Sequence, residues 1–167
     1  MRIPLTILIL TITLPIFGQT VPELDRRNGF KDIKMNSSVL DYEGLEYKKD
    51  IADGYYPEAK LYVAKKGYYE NIGSLKIYDL EVKTYRDSVF QIIVVTDGDI
   101  YKGLKTAFGE PEFHYRSKFH YWMGENLRLS YTAPRKNRLE LKYESFLMRE
   151  KLKKDKEEVV EAIVDDF

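Results

Sequence analysis

Cysteine is absent from the 167 residues, and that excludes disulfides, thiolate nucleophiles, zinc–thiolate centres and iron–sulfur ligation together. It also excludes lipid attachment at a leader cysteine. Histidine is nearly absent: His114 and His120 are the only two. They lie six positions apart in strand-like sequence, so at about 3.3 Å per residue they are roughly 20 Å apart on one face of an extended strand. A single ion reaches both only if Arg116-Ser117-Lys118 turns the chain back. Neither sign of charge is in excess, with 27 basic and 27 acidic residues, so the chain has no global attraction for nucleic acid or anionic lipid. The sequence also lacks a Gly-x-Ser-x-Gly elbow, a His-Glu-x-x-His helix, a Ser-x-x-Lys pair and a phosphate-cradling glycine loop. Asp97-Gly98-Asp99 begins like a calcium loop, but no third ligand and no distal glutamate follow, and helix capping accounts for both carboxylates. No metal and no cofactor are expected.

What remains is the composition of a folded protein, 44% hydrophobic and 32% charged. Arg2 precedes an apolar stretch from Ile3 to Leu14, then Pro15 and Gly18, which reads as a cleaved signal peptide over residues 1–18. The stretch falls short of the roughly 20 apolar residues of a membrane span. The expectation is therefore an exported protein, periplasmic or extracellular, with no membrane span in its mature form. About 149 residues are left after cleavage, enough for one hydrophobic core. Residues 19–28 carry Pro22 and no periodicity, so they are assigned to a flexible lead-in, with a single α+β domain over 29–167.

Along that domain, Phe30 to Met35 predicts a short strand, and Val39 to about Leu45 a brief helix capped by Asn36-Ser37-Ser38. Residues 46–58 are polar and read as a loop. A strand near Lys60 follows. Leu75 to Val82 and Val89 to Val95 flank Arg86-Asp87-Ser88 and predict a hairpin whose second strand is covered on both faces. Asp97 and Asp99 open a helix with Ile100, Leu104, Ala107 and Phe108 on one stripe, ended by Gly109 and Pro111. Phe113 to Trp122 reads as one strand. Leu127, Leu129 and Tyr131 then alternate with polar residues, as do Leu139, Leu141 and Tyr143, giving a hairpin with one apolar face. Ser145 caps a long C-terminal helix carrying Met148, Leu152, Val159, Ile163 and Phe167 at helical spacing. The fold class is thus α+β, mostly antiparallel sheet, with a short helix in each of two helix-plus-three-strand halves and a long C-terminal helix. Val82, Phe90, Ile92, Val94, Leu104, Phe108, Leu129 and Leu141 are the expected core.

Fourteen tyrosines are the compositional oddity. Tyr55, Tyr56, Tyr68, Tyr69, Tyr115 and Trp122 fall in loops and strand ends, where amphipathic rings offer contact area at low entropic cost. They form the candidate surface for an envelope protein, a peptide or a glycan. Two passages, Gly29 to Lys34 and the helix–Phe108-Gly109-Glu110-Pro111–strand–Trp122 segment, resemble exported proteins of Gram-negative bacteria. The second is similar to the small α+β modules of the SmpA/OmlA lipoproteins and the β-lactamase-inhibitor proteins, and the missing leader cysteine departs from the lipoproteins. The sequence favours a non-catalytic binding or interaction module. A hydrolase built from scattered carboxylates and a structural envelope protein are the alternatives.

Overall fold

The computed structural model describes residues 22–51, 58–132 and 138–165. A short helix, α1 (Pro22–Arg27), is followed by a miniature hairpin of β1 (Gly29–Phe30) and β2 (Ile33–Lys34) and by one 3-10 turn at Val39–Asp41. Then come β3 (Leu45–Ile51), β4 (Ala59–Ala64), β5 (Asn71–Ile72), β6 (Leu75–Tyr85) and β7 (Ser88–Thr96). Helix α2 (Tyr101–Phe108) leads to β8 (Glu112–His114), β9 (Phe119–Met123), β10 (Leu127–Thr132) and β11 (Leu139–Ser145), and α3 (Leu147–Asp165) follows. The main sheet runs β3-β4-β6-β7-β11-β10-β9-β8, with every pair antiparallel and β5 attached only to β6. The α+β class with a mostly antiparallel sheet is thus the observed one. No helix among the described residues is long and apolar enough to cross a membrane.

The seam of the sheet lies between β7 and β11, where Val94 pairs with Leu141 and Ile92 with Tyr143. Each of these strands ends a four-strand meander, so each half gives the sheet four strands where three were expected. The β6–β7 turn works because Arg86 (φ 47°) and Asp87 (φ 63°) both adopt the left-handed region, which suits the twist of a two-residue hairpin. Lys60 Nζ lies 3.2 Å from Asp87 Oδ1 across it.

Two cores result. The larger packs Leu24, Phe30, Ile33, Leu104 and Phe108 against Val82, Ile92, Val94, Leu129 and Leu141 of the sheet. The smaller holds Ala59, Tyr85 and Phe90 against Met148 and Leu152 of α3. All eight expected core residues are buried. Phe90, however, belongs to the second core, because a register shift between Lys83 and Thr84 skips it in the β6–β7 pairing and a bulge interrupts the alternation of side chains there.

Several elements depart from the sequence reading. Residues 22–27, placed in the flexible lead-in, form α1, and its Leu24 is fully buried. Residues 46–51, read as loop, belong to β3, an edge strand whose side chains are almost all exposed, so no apolar face marks it. The single strand over Phe113 to Trp122 is instead the β8–β9 hairpin, turned by Lys118 at φ 53°. Phe30 to Met35 is a hairpin turned by Lys31 at φ 53°, and the brief helix after Ser38 is only the 3-10 turn. Helix α3 begins as expected, with Ser145 Oγ accepting from the Met148 N–H at 3.4 Å.

Candidate ligand-binding cleft

Helix α1 is too short to be stable alone, and two sets of bonds hold it. Glu23 accepts from Arg26 at 2.6 Å and from Arg27 at 2.7 Å. These two arginines, Arg26 first, hold the Glu23 carboxyl at about 2, well below its ordinary range. Asp25 reaches across to the β9–β10 turn, accepting from the Glu125 N–H at 2.7 Å and the Asn126 N–H at 3.1 Å. The β1–β2 hairpin is tied back by Lys34, whose Nζ donates to the Arg27 carbonyl at 2.9 Å and whose N–H donates to the Tyr42 hydroxyl at 2.8 Å. On the other side, Asp99 Oδ1 accepts from the Tyr101 N–H at 2.8 Å and from the Tyr131 hydroxyl at 2.9 Å. The N-cap of α2 is Ile100, which bonds no side chain of its own to the helix start; Asp99, one residue before it, accepts the first-turn N–H of Tyr101, while Asp97 Oδ1 accepts from the Lys76 N–H of β6.

Between these two walls lies a cleft of about 760 Å³. Its apolar lining includes Phe30, Ile72, Leu104, Phe108 and Leu141, and four cations, Arg26, Arg27, Lys31 and Lys34, border it against one lining carboxylate, Asp99. The Arg27 guanidinium sits 5.4 Å from the centre of the Phe108 ring. Among the described residues neither Lys31 nor Lys34 has a carboxylate partner. Tyr143 of β11 also lines the cleft. Its side chain is only 4% exposed, and burial pushes its hydroxyl well above the usual tyrosine range, with the Arg27 charge opposing. A volume of this size, mostly apolar with a few convergent polar groups, is typical of small-molecule sites.

The tyrosine surface does not assemble as one patch. Tyr55 and Tyr56 lie outside the described residues. Tyr68 and Tyr69 pack together, rings 6.4 Å apart, beside Gly44 at the β3 side of the sheet. Tyr115, 85% exposed, follows β8 at the other edge. Trp122 is a correction: it is 3% exposed, pairs with the Phe108 ring and donates its Nε1–H to the Gly109 carbonyl at 2.9 Å, so it is core and not surface. The two histidines are not held apart by an extended strand, as the sequence reading had it. The β8–β9 hairpin sets Phe113 opposite His120 and His114 opposite Phe119, which puts the histidines on opposite faces. His114 stacks on Phe119, and His120 packs against Tyr101.

The sequence does not mark these residues as a site, because Arg26 and Arg27 fall in an aperiodic stretch and Tyr143 reads only as part of an apolar stripe. One signal was present: four cations within nine positions, Arg26 to Lys34, interrupted by the Asn28-Gly29 turn. Comparison with known proteins finds no family model, no curated protein and no solved structure that matches the chain.

Proposed function

We propose that this is an exported, non-catalytic binding module that takes a small ligand into the cleft between α1, the β1–β2 hairpin and α2. Export rests on the leader-like residues 1–18. Binding rests on one observation, the apolar cleft bordered by four cations and lined by the largely buried Tyr143. The hydrolase alternative draws less support. Catalysis by a general acid asks for a carboxyl raised toward neutrality, whereas the carboxyls displaced among the described residues, Glu23 and Glu144, both go down, and both are paired with arginine.

Gly103 supplies the test. It lines the cleft, and a Cβ there would meet nothing within 4 Å, so Gly103→Leu fills the space while improving helix propensity. The protein, exposed to a small-molecule extract of bacterial envelope and examined by native mass spectrometry, should carry a bound species that Gly103→Leu does not. The absence of any such species, or equal loading of both proteins, would overturn the reading.

A further inference from the structure

We infer that the occupant of the cleft is a small anionic amphiphile, an apolar chain ending in a carboxylate or phosphate, with its chain against Phe30, Leu104, Phe108 and Leu141 and its head between Arg27 and the Tyr143 hydroxyl. The inference rests on the cleft being a binding site at all and adds the chemistry of the ligand.

Tyr143 carries the argument furthest. Four other tyrosines at least partly withdrawn from solvent donate to a carboxylate: Tyr69 to Asp32 at 3.1 Å, Tyr85 to Asp155 at 3.0 Å, Tyr121 to Glu112 at 2.5 Å and Tyr131 to Asp99 at 2.9 Å. Tyr143 is more deeply buried than Tyr69 or Tyr131, yet among the described residues its hydroxyl has no hydrogen-bond partner. Thr84 Oγ1 is the one fully buried side-chain atom without a partner among the described residues, so the Tyr143 hydroxyl is not sealed in: it opens on the cleft that Tyr143 lines, a phenol donor available to an occupant. The acceptor left to be supplied is the kind those four use, an anionic oxygen.

The charges agree. Arg27 and Tyr143 line the same cleft, with the Arg27 guanidinium 5.4 Å from the Phe108 ring, so an oxyanion placed between them would receive a phenol O–H and a guanidinium N–H together, the charge-assisted geometry that favours carboxylates and phosphates. Glu23 neutralises part of the Arg26–Arg27 pair, but Lys31 and Lys34 at the border have no carboxylate partner among the described residues. Lys31 lies 5.8 Å from the Phe30 ring and 5.9 Å from the Tyr69 ring, held over aromatic faces and not over a carboxylate. A neutral chain would fill the apolar part and leave Tyr143 unmet. A cationic one would meet four like charges.

The probes are dodecanoate, dodecyl phosphate and dodecanol, each below its micellar concentration, with acetate and inorganic phosphate as heads without chains. Binding is read by calorimetry on the intact protein, and circular dichroism verifies the fold of each variant. Dodecanoate or dodecyl phosphate should bind at least tenfold tighter than dodecanol, and the ratio of the two identifies the preferred head. Acetate and phosphate alone should not bind measurably. Tyr143→Phe, which keeps the ring, should weaken the anionic probe about tenfold and leave dodecanol unchanged. Arg27→Gln should do the same, and Lys31→Gln with Lys34→Gln should reduce the salt dependence. Gly103→Leu should abolish binding of every probe. Dodecanol binding as tightly as dodecanoate, or indifference to both Tyr143→Phe and Arg27→Gln, overturns the anionic head while the cleft reading stands on the extract experiment. Binding that survives Gly103→Leu, or no binding of either anionic probe, overturns the inference.

Discussion

Asp25 and Glu125 are a hundred residues apart in sequence, and the carboxylate of the first accepts the backbone N–H of the second at 2.7 Å. The same carboxylate takes the Asn126 N–H through its other oxygen. One acidic side chain in a six-residue helix thereby closes a turn between two strands and fixes one wall of the cleft. Gly124 is shaped to admit it, since a Cβ at that position would lie 2.6 Å from both Asp25 oxygens.

Asp25→Ala should therefore destabilise the protein by about 1 to 3 kcal/mol, the usual cost of stranding backbone donors that were bonded to a charged acceptor. Gly124→Ala should give a similar loss by pushing the carboxylate away. Because both changes break one interaction, the double variant should fall well short of the sum of the two. Urea denaturation of all four proteins gives the coupling, and strict additivity would mean that the contact contributes nothing.

Phe108→Ala should cost about 3 to 5 kcal/mol. The ring is buried, pairs with Trp122 at 6.2 Å between centroids and lies under Arg27. Trp122 is the only tryptophan, so its fluorescence follows unfolding directly. A loss under about 1 kcal/mol would show that α2 does not rest on this residue.

Gly29→Ala should be as damaging as a core deletion despite adding a single methyl. Gly29 sits at φ 142°, and a Cβ there would meet the Ile33 carbonyl oxygen at 2.1 Å. The β1–β2 hairpin would have to open, at a cost of at least about 1 to 3 kcal/mol in backbone strain. Limited proteolysis of the variant should cut after Lys31 or Lys34 where the parent protein resists.

Acid should weaken the fold through Glu144, whose carboxyl in the folded protein holds its charge to lower pH than an ordinary carboxylate does. Burial pushes this carboxyl up, but the bonds from Arg128 and the charge of Lys142 outweigh it, and its pKa ends below the ordinary 4.5. A folded-state pKa below the unfolded one means that the unfolded chain binds protons first. The stability that Glu144 contributes is complete above the ordinary value and is lost as pH falls through the folded one. Glu144→Gln should thus destabilise by about 1 to 3 kcal/mol at neutral pH, and the gap to the parent should close as pH drops below about 4. Thermal melts from pH 7 to pH 3 measure it; a gap that widens in acid would reverse the sign.

How far the sequence discloses this fold depends on how much of each element is buried. Strands β10 and β11 are legible because Leu127, Leu129, Leu139 and Leu141 alternate with polar neighbours, and period-two patterning is the strongest strand signal. Strand β3 is illegible for the opposite reason: at the edge of the sheet only its first residue is buried. Helix α1 contributes one buried side chain, Leu24, and one apolar residue cannot show a period. The β8–β9 turn is hidden because Arg116-Ser117-Lys118 has no glycine, proline, asparagine or aspartate to announce it, and a lysine adopts the left-handed conformation instead. The cleft is harder still. Its parts come from α1, the β1–β2 hairpin, α2 and β11, and only the tertiary fold brings Tyr143 alongside residues more than a hundred positions earlier.

The seam between β7 and β11 sets an order in time as well as in space. β7 can pair with β6 as soon as the Arg86-Asp87 turn forms, but its other edge, beyond Ser88 and Val89, which pair with residues 36–38, is covered only by residues 139–145. Until then the run Val89-Phe90-Gln91-Ile92-Ile93-Val94-Val95, free of charge and of proline, stands as an open template for a neighbouring molecule. Refolding from denaturant should accordingly lose yield steeply as protein concentration rises.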